Sequence, residues 1–289
     1  MTQRVLITAG ASGIGKEIAS AYAAIGAQVC VCDINKAALD AAAKEIPGLK
    51  TVVCDVSKRD EIERMVAEAV KALGGLDVLV NNAGISGQTA PVETADPDQW
   101  EAVMKVDVIG TFHVTRHCIP HLKKSGAGSI IVMSSLGGRF GYPNRSAYCT
   151  AKMGLIGFAK TLSRELGEFN IRVNAIAPGA VAGDRIERVL QGRAGADHKT
   201  LDEERAAAMS LQSLKCVLSI RKTSPRWFSF LRPTPENQSP VRCYPSTTTR
   251  RLRRNSGHDK QSRRIADGTD ITRASDRRME AGVLRRKAD

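Results

Sequence analysis

Over its first 215 residues the chain switches repeatedly between short apolar runs and stretches of helical period, and this alternation limits the folds open to it. β-rich runs occur at Val5–Thr8, Gln28–Cys32, Leu49–Cys54, Val78–Val80, Ser129–Met133 and Arg172–Ile176. Helical spacing occupies Ile14–Ile25, Lys36–Glu45, Arg59–Leu73, Pro97–Lys123, Ser146–Glu168 and a polar stretch from Asp184 to about Met209. Near-continuous apolar strands separated by helices are buried on both faces, which requires a parallel sheet with a helical layer on each side. Right-handed crossovers then give a doubly wound, three-layer αβα fold of the α/β class. Six strands are expected, with the C-terminal seventh strand common to such folds missing.

After Lys215 the texture changes. Five of the eleven prolines fall between residues 225 and 245, arginine pairs recur from 250 onward, and no apolar period survives. The formal charge of +13 is correspondingly uneven: residues 1–215 are nearly balanced and the last quarter holds most of the excess. The basic character therefore says little about what the first 215 residues bind. The expected organisation is a folded α/β domain at 1–215 and a basic Pro/Arg-rich tail at 216–289. No apolar run is long enough to span a membrane, and Val5-Leu6-Ile7 is too short for a signal peptide. A cytoplasmic protein is expected. The seven cysteines are odd in number and lack metal-ligand spacing, so they read as buried thiols.

The first strand runs directly into Thr8-Ala9-Gly10-Ala11-Ser12-Gly13-Ile14-Gly15, and a helix follows at once. Gly13 and Gly15 let the backbone approach a pyrophosphate, which the N–H groups and positive dipole end of the helix would hold. The second strand ends in Cys32-Asp33, about 20 residues beyond the glycines. An acidic side chain there accepts hydrogen bonds from ribose hydroxyls and repels a 2′-phosphate, which predicts NAD over NADP. Its alternative role is to cap the next helix. Asp55, after the third strand, is placed to meet the adenine edge. Asn81-Asn82-Ala83-Gly84 suits a backbone crossing close to the cofactor.

Ser134-Ser135 closes the fifth strand, Tyr148 follows Ser135 by thirteen residues, and Lys152 comes four later. On a helix, Tyr148 and Lys152 share a face one turn apart. An ammonium beside a phenol favours the phenolate and makes tyrosine a usable acid and base. A serine hydroxyl from the strand end can hold a substrate oxygen. Tyr-x-x-x-Lys alone arises by chance on helix surfaces; its conjunction with the serine, the Asn-Asn-Ala-Gly run and the glycine turn carries the assignment.

From residue 3 to about 215 the sequence resembles the classical short-chain dehydrogenase/reductase family, on the strength of Gly13-Ile14-Gly15, Asp55, Asn81–Gly84, Ser135, Tyr148, Lys152 and Pro178-Gly179. The resemblance implies a Rossmann-like fold and hydride exchange between a nicotinamide cofactor and a secondary alcohol or ketone. It makes Tyr148 the general acid/base. Ser135, with Tyr148, holds the substrate carbonyl, and Lys152 is the nicotinamide-ribose ligand. The implied cofactor contacts are Thr8, Gly10, Ser12, Gly13, Ile14, Gly15, Asp33, Asp55, Val56, Asn82, Ala83, Gly84, Lys152, Pro178, Gly179 and Val181. It also implies a homotetramer or dimer.

Three departures stand out. Ala9 replaces the first turn glycine, which is tolerable if its φ stays negative. Asp107 occupies the place of the relay asparagine. It is nearly isosteric but cannot donate when charged, so it joins the catalytic set with either a weakened relay or a retained proton. The threonine that often follows Pro-Gly is missing, with Gly183 near its place.

The tail reads as out of frame. Starting at the third base of the Cys216 codon, one codon choice for Cys216–Arg250 also encodes an amphipathic helix, a Ser-Asp-Ala turn and an Ile-Ser-Gly-Gln strand start, which resemble the family's ending. The rival reading is a basic arm for nucleic acid or acidic membrane, but Trp227, Phe228, Phe230 and Tyr244 all precede its arginine-rich part. Loss of the ending also admits an inactive dinucleotide-binding remnant. Leu136–Arg145 and Val181–Met209 are expected to wall the substrate pocket. Arg139, Asn144 and Arg145 read as solvated surface, with a carboxylate or polyol contact as the alternative. His113, His117 and His121 share a helical face and read as packing, with no metal expected.

Overall fold

The computed structural model describes residues 2–179, 181, 184–196, 199–211 and 244–245, all of which fall in one unit, 1–248. Six parallel strands build the sheet: β1 (Arg4–Thr8), β2 (Gln28–Asp33), β3 (Lys50–Val53), β4 (Val78–Asn81), β5 (Ser129–Met133) and β6 (Arg172–Ala177). A two-residue strand, β7 (Tyr244–Pro245), takes the seventh place, pairing with Ile176 and Ala177 of β6. The order is β3-β2-β1-β4-β5-β6-β7. The chain winds outward from β1 in one direction, then restarts at β4 in the other, so a crevice opens at the C-terminal ends of β1 and β4.

The apolar runs become strands because both faces are covered. In β1, Leu6 enters the larger core cluster with Cys30, Cys32 and Leu79, whereas Val5 and Ile7 enter the other with Val29, Val31 and Val80. This is the period-two alternation of a strand between two helical layers. At the opposite end of the strands, Arg4 clamps β1 to the residue before β4 by donating to both carboxylate oxygens of Asp77 at 2.7 and 2.9 Å.

The helices are α1 (Gly13–Ala24), α2 (Lys36–Glu45), α3 (Arg59–Leu73), α4 (Pro97–Val103), α5 (Thr111–Ser125), α6 (Gly137–Phe140), α7 (Ser146–Glu165), α8 (Asp184–Ala196) and α9 (Leu201–Leu211). Local chemistry fixes several starts. Asn35 caps α2 by accepting from the Ala38 N–H at 3.0 Å, and Asp96 caps α4 ahead of Pro97.

Two stretches differ from the sequence expectation. Pro97–Lys123 is not one regular helix, because Met104–Gly110 forms a π-helical turn between α4 and α5. Such a turn inserts an extra residue and rotates the side chains after it. The polar stretch from Asp184 is broken between α8 and α9. Thr200 and Glu203 form a reciprocal cap, with Glu203 Oε2 accepting from the Thr200 N–H at 2.8 Å and Thr200 Oγ1 accepting from the Glu203 N–H at 3.3 Å. That Thr-x-x-Glu pattern is a helix-start signal readable in the sequence.

Candidate active site

The glycine turn is braced from β4. Thr8 is buried, and its hydroxyl accepts from the N–H groups of Asn82 and Ala83 at 3.0 and 2.9 Å. Asn82 Nδ2 returns bonds to the carbonyls of Thr8 and Ala9 at 3.1 and 2.9 Å. Thr8 and Asn82 thus spend their polar groups holding the turn. Gly15 is where a side chain would fail, since a β-carbon would lie 2.7 Å from Asn82 Nδ2 and collide with the Ala9 carbonyl. Ala9 adopts a φ of 49°, so the condition of a negative φ is not met and a β-carbon sits in the left-handed region.

No side chain caps α1, and its first turn holds no acid. The N–H groups of Gly13, Ile14 and Gly15 therefore form a helix start that could hold an anion, with exposed Ser12 at the N-cap and buried Gly10 behind it. These donors fit the pyrophosphate of a dinucleotide. Asp33 turns toward them, with Oδ2 accepting from the Ala11 N–H at 3.3 Å and Oδ1 from the Asn35 N–H at 3.1 Å. The cap of α2 is Asn35, so Asp33 is left beside the turn. Asp55 Oδ1 accepts from the Ser57 N–H at 2.9 Å, and Val56 is buried, its carbonyl against Gly110.

Ser135, Tyr148, Lys152 and Asp107 meet where β5, α7 and the π-helical turn converge. Ser134 Oγ donates to the Lys152 carbonyl at 2.7 Å, fixing the end of β5 to α7. Ser135 is buried, and its Oγ accepts from the Gly137 N–H at 3.1 Å. The turn bearing Ser135 lies against Tyr148, because a β-carbon on Gly137 would sit 3.4 Å from Tyr148 Cε1. Lys152 Nζ lies 5.7 Å from the Tyr148 ring centroid. It donates to the Met133 carbonyl at 3.1 Å and stands 3.1 Å from Asp107 Oδ2.

Asp107 is fully buried. Oδ1 accepts from the Ile85 N–H at 2.7 Å, while Oδ2 faces the ammonium off the line of a hydrogen bond. Asp107 thus stands in a buried ion pair with Lys152, and the π-helical turn presents it. Gly84 makes room for that pair: a β-carbon there would lie 2.8 Å from Asp107 Oδ2 and 3.0 Å from Lys152 Nζ.

Pro178 and Gly179 continue β6 beside the site, with the Pro178 carbonyl accepting from the Leu136 N–H at 3.0 Å. Val181 is half-buried just beyond, and Gly183 lies outside the described residues. Arg145 corrects the sequence expectation. It is not solvated but 3 % exposed, donating to the Ser86 carbonyl at 2.8 Å and Thr89 Oγ1 at 3.2 Å, with its Cζ 5.1 Å from the Tyr148 ring centroid. Asn144, expected at the surface as well, is half-buried, and its carbonyl accepts from the Ala90 N–H at 2.9 Å. Arg139 stacks instead on exposed Phe140, at 5.6 Å. His113 is buried edge-on to Phe112, and among the described residues no group of three His, Cys, Asp or Glu could hold a metal.

The family described as short chain dehydrogenase matches residues 3–193. The 3-oxoacyl-[acyl-carrier-protein] reductase of Thermotoga maritima is 42 % identical over 188 residues, covering 64 % of this chain and 76 % of the relative. NAD+-bound xylitol dehydrogenase superposes with a TM-score of 0.65 at 31 % identity, covering 67 % of this chain and 76 % of that one. A variant of actinorhodin polyketide ketoreductase with NADPH gives 0.67 at 32 % identity, with 70 % and 79 % covered. Crevice, glycine turn and relatives agree: this chain belongs to the short-chain dehydrogenase family of oxidoreductases, which act on CH–OH groups with a nicotinamide dinucleotide.

Proposed function

We propose that this protein interconverts a secondary alcohol and a ketone, with Tyr148 giving or taking the hydroxyl proton and NAD rather than NADP as cofactor. The observation that carries the proposal is the convergence of Ser135, Tyr148 and Lys152 on one end of the crevice, with α1 offering uncapped N–H groups at the other. The nicotinamide, when bound, accepts or supplies hydride. Tyr148 exchanges the proton at its hydroxyl, and Ser135 Oγ orients the substrate oxygen. Lys152 supports the phenol and reaches the nicotinamide ribose. Asp107 holds the Lys152 ammonium in place. Asp33 supports NAD because its carboxylate stands beside the turn, where ribose hydroxyls suit it and a 2′-phosphate does not.

The same reading includes a cytoplasmic protein that associates with copies of itself. Free thiols at Cys30, Cys32, Cys54 and Cys118 support the first, and exposed Ile109, Phe112 and Met153 support the second. No described helix is long and apolar enough to cross a membrane.

The frame change near codon 216 belongs to this proposal. The family match stops at residue 193, and the seventh sheet position carries two described residues. Sequencing the gene across codons 210–220 tests it; codons that forbid the shifted translation contradict it. The same observations favour a second reading, a dinucleotide-binding protein without turnover. Titrating the chain with NADH by fluorescence, then measuring NAD reduction with a panel of alcohols, separates the two. Binding with turnover supports the first, and binding alone supports the second.

A further inference from the structure

Tyr142, in the turn between α6 and α7, is a second phenol at the reacting end of the crevice, and the proton chemistry does not use it. A β-carbon on Gly137, two residues past Ser135, would stand 2.7 and 2.9 Å from Tyr142 Cε2 and Cδ2 and 3.4 Å from Tyr148 Cε1. One methyl-sized position on the serine turn therefore touches the edges of both rings. The Tyr148 phenol also acts electrostatically on that of Tyr142.

The Tyr142 ring is held from several sides. Its backbone N–H donates to the Cys149 thiol on α7. The Arg193 guanidinium of α8 lies over its face, with Cζ 5.1 Å from the ring centroid. The Ala90 N–H donates to the carbonyl of Asn144, two residues on, at 2.9 Å. A β-carbon on Gly192 would stand 3.1 Å from Thr89 Oγ1, so α8 also packs on the segment that Asn144 holds.

The hydroxyl of Tyr142, by contrast, has no hydrogen-bond partner among the described residues, and the half-buried side chain leaves it within reach of a ligand. Burial is the largest influence on this phenol and pushes its pKa up, with Tyr148 and Cys149 acting in the same direction and Arg193 opposing them. The group therefore keeps its proton at neutral pH and serves as a donor. A tyrosine held this way at a site edge gives an apolar wall and a polar tip that calls for a partner.

We infer that Tyr142 is a specificity-determining residue that donates a hydrogen bond to a second oxygen of the substrate, so that hydroxy ketones and the corresponding diols are taken in preference to plain ketones and alcohols. This rests on the alcohol–ketone reading of the site. A site that supplies a donor for a substrate oxygen discriminates against the analogue lacking that oxygen, because the donor is then left unpaired.

The test is a ligand-observed NMR titration of the full chain saturated with tetrahydro-NAD, a reduced cofactor analogue that cannot transfer hydride. It compares 3-hydroxybutan-2-one and 4-hydroxybutan-2-one with butan-2-one, and NADH oxidation by each is recorded separately. At least one hydroxy ketone is expected to bind about three- to tenfold more tightly than butan-2-one, as one neutral hydrogen bond provides. Tyr142→Phe keeps the ring and its stack on Arg193 and is expected to bring that ratio to about one; circular dichroism checks its fold, and the comparison on the parent chain decides by itself if the variant does not fold. Equal or weaker binding of both hydroxy ketones, or no binding of any of the three, overturns the inference, as does a preference that survives Tyr142→Phe. A preference lost in Tyr142→Phe but without NADH oxidation would uphold the Tyr142 contact and contradict the redox reading. NADH oxidation by all three ketones at equal affinity would do the reverse.

Discussion

Ala9 shows how a single residue can be legible in the sequence and its consequence not. The sequence marks it as a replacement for glycine, but only the backbone reveals the φ of 49°. A left-handed alanine costs roughly 1–2 kcal/mol, part of which glycine gives back through the unfolded chain. Ala9→Gly is therefore expected to stabilise the protein by about 0.5–1 kcal/mol in urea denaturation. Asp107 follows the same pattern. Its position was readable, but its partner depended on a register that no sequence period announces. With both side chains buried, Lys152→Ala strands the carboxylate and is expected to cost about 3–5 kcal/mol. The double variant with Asp107→Asn should cost less than the two single changes together, by about 1–3 kcal/mol in a double-mutant cycle. Strict additivity would mean that the 3.1 Å contact carries no coupling. Arg145 misled because charge predicts exposure, and nothing local signals that Ser86 and Thr89 cover it.

At the level of elements, the six long strands and the helices of the first half follow their sequence periods closely, since burial on both faces leaves a strong pattern. α2, α3 and β5 match their expected limits. The π-helical turn and the short α6 leave no such pattern, because packing rather than propensity sets them. Between β1 and β4, the Arg4–Asp77 clamp gives a pH dependence. Burial alone would push the Asp77 carboxyl up, but side-chain and backbone hydrogen bonds from Arg4, with its charge, outweigh it and hold the group below the usual carboxylate range. A carboxyl lowered in the folded state adds stability above its unfolded value of about 3.9 and loses it as pH falls through the lower folded value. Asp77→Asn is expected to be less stable than the parent at neutral pH and to show a flatter acid limb in denaturation midpoints between about pH 5 and 2. Parallel limbs for the two proteins would contradict the clamp.

At the scale of the whole molecule, the described part of the sheet narrows beyond β6. Arg172–Ala175 of β6 have no described partner strand on the outer side. Tyr22 Oη and Arg172 Nη1 are buried without a hydrogen-bond partner among the described residues. Burial raises the Tyr22 phenol and lowers the Arg172 guanidinium. Each such orphan costs about 1–3 kcal/mol. An ending that pairs along β6 and covers this region would relieve both, so a frame-restored protein is expected to melt higher and associate into defined oligomers by light scattering. Equal melting temperatures would count against a lost C-terminal strand.

The proposed chemistry turns on proton exchange at Tyr148. In frame-restored protein, the rate of NADH oxidation with a responsive ketone is expected to fall by about 10²-fold or more in Tyr148→Phe, with NADH still bound. A Phe variant that matches the parent rate would show that the proton comes from elsewhere and that Tyr148 is not the acid/base.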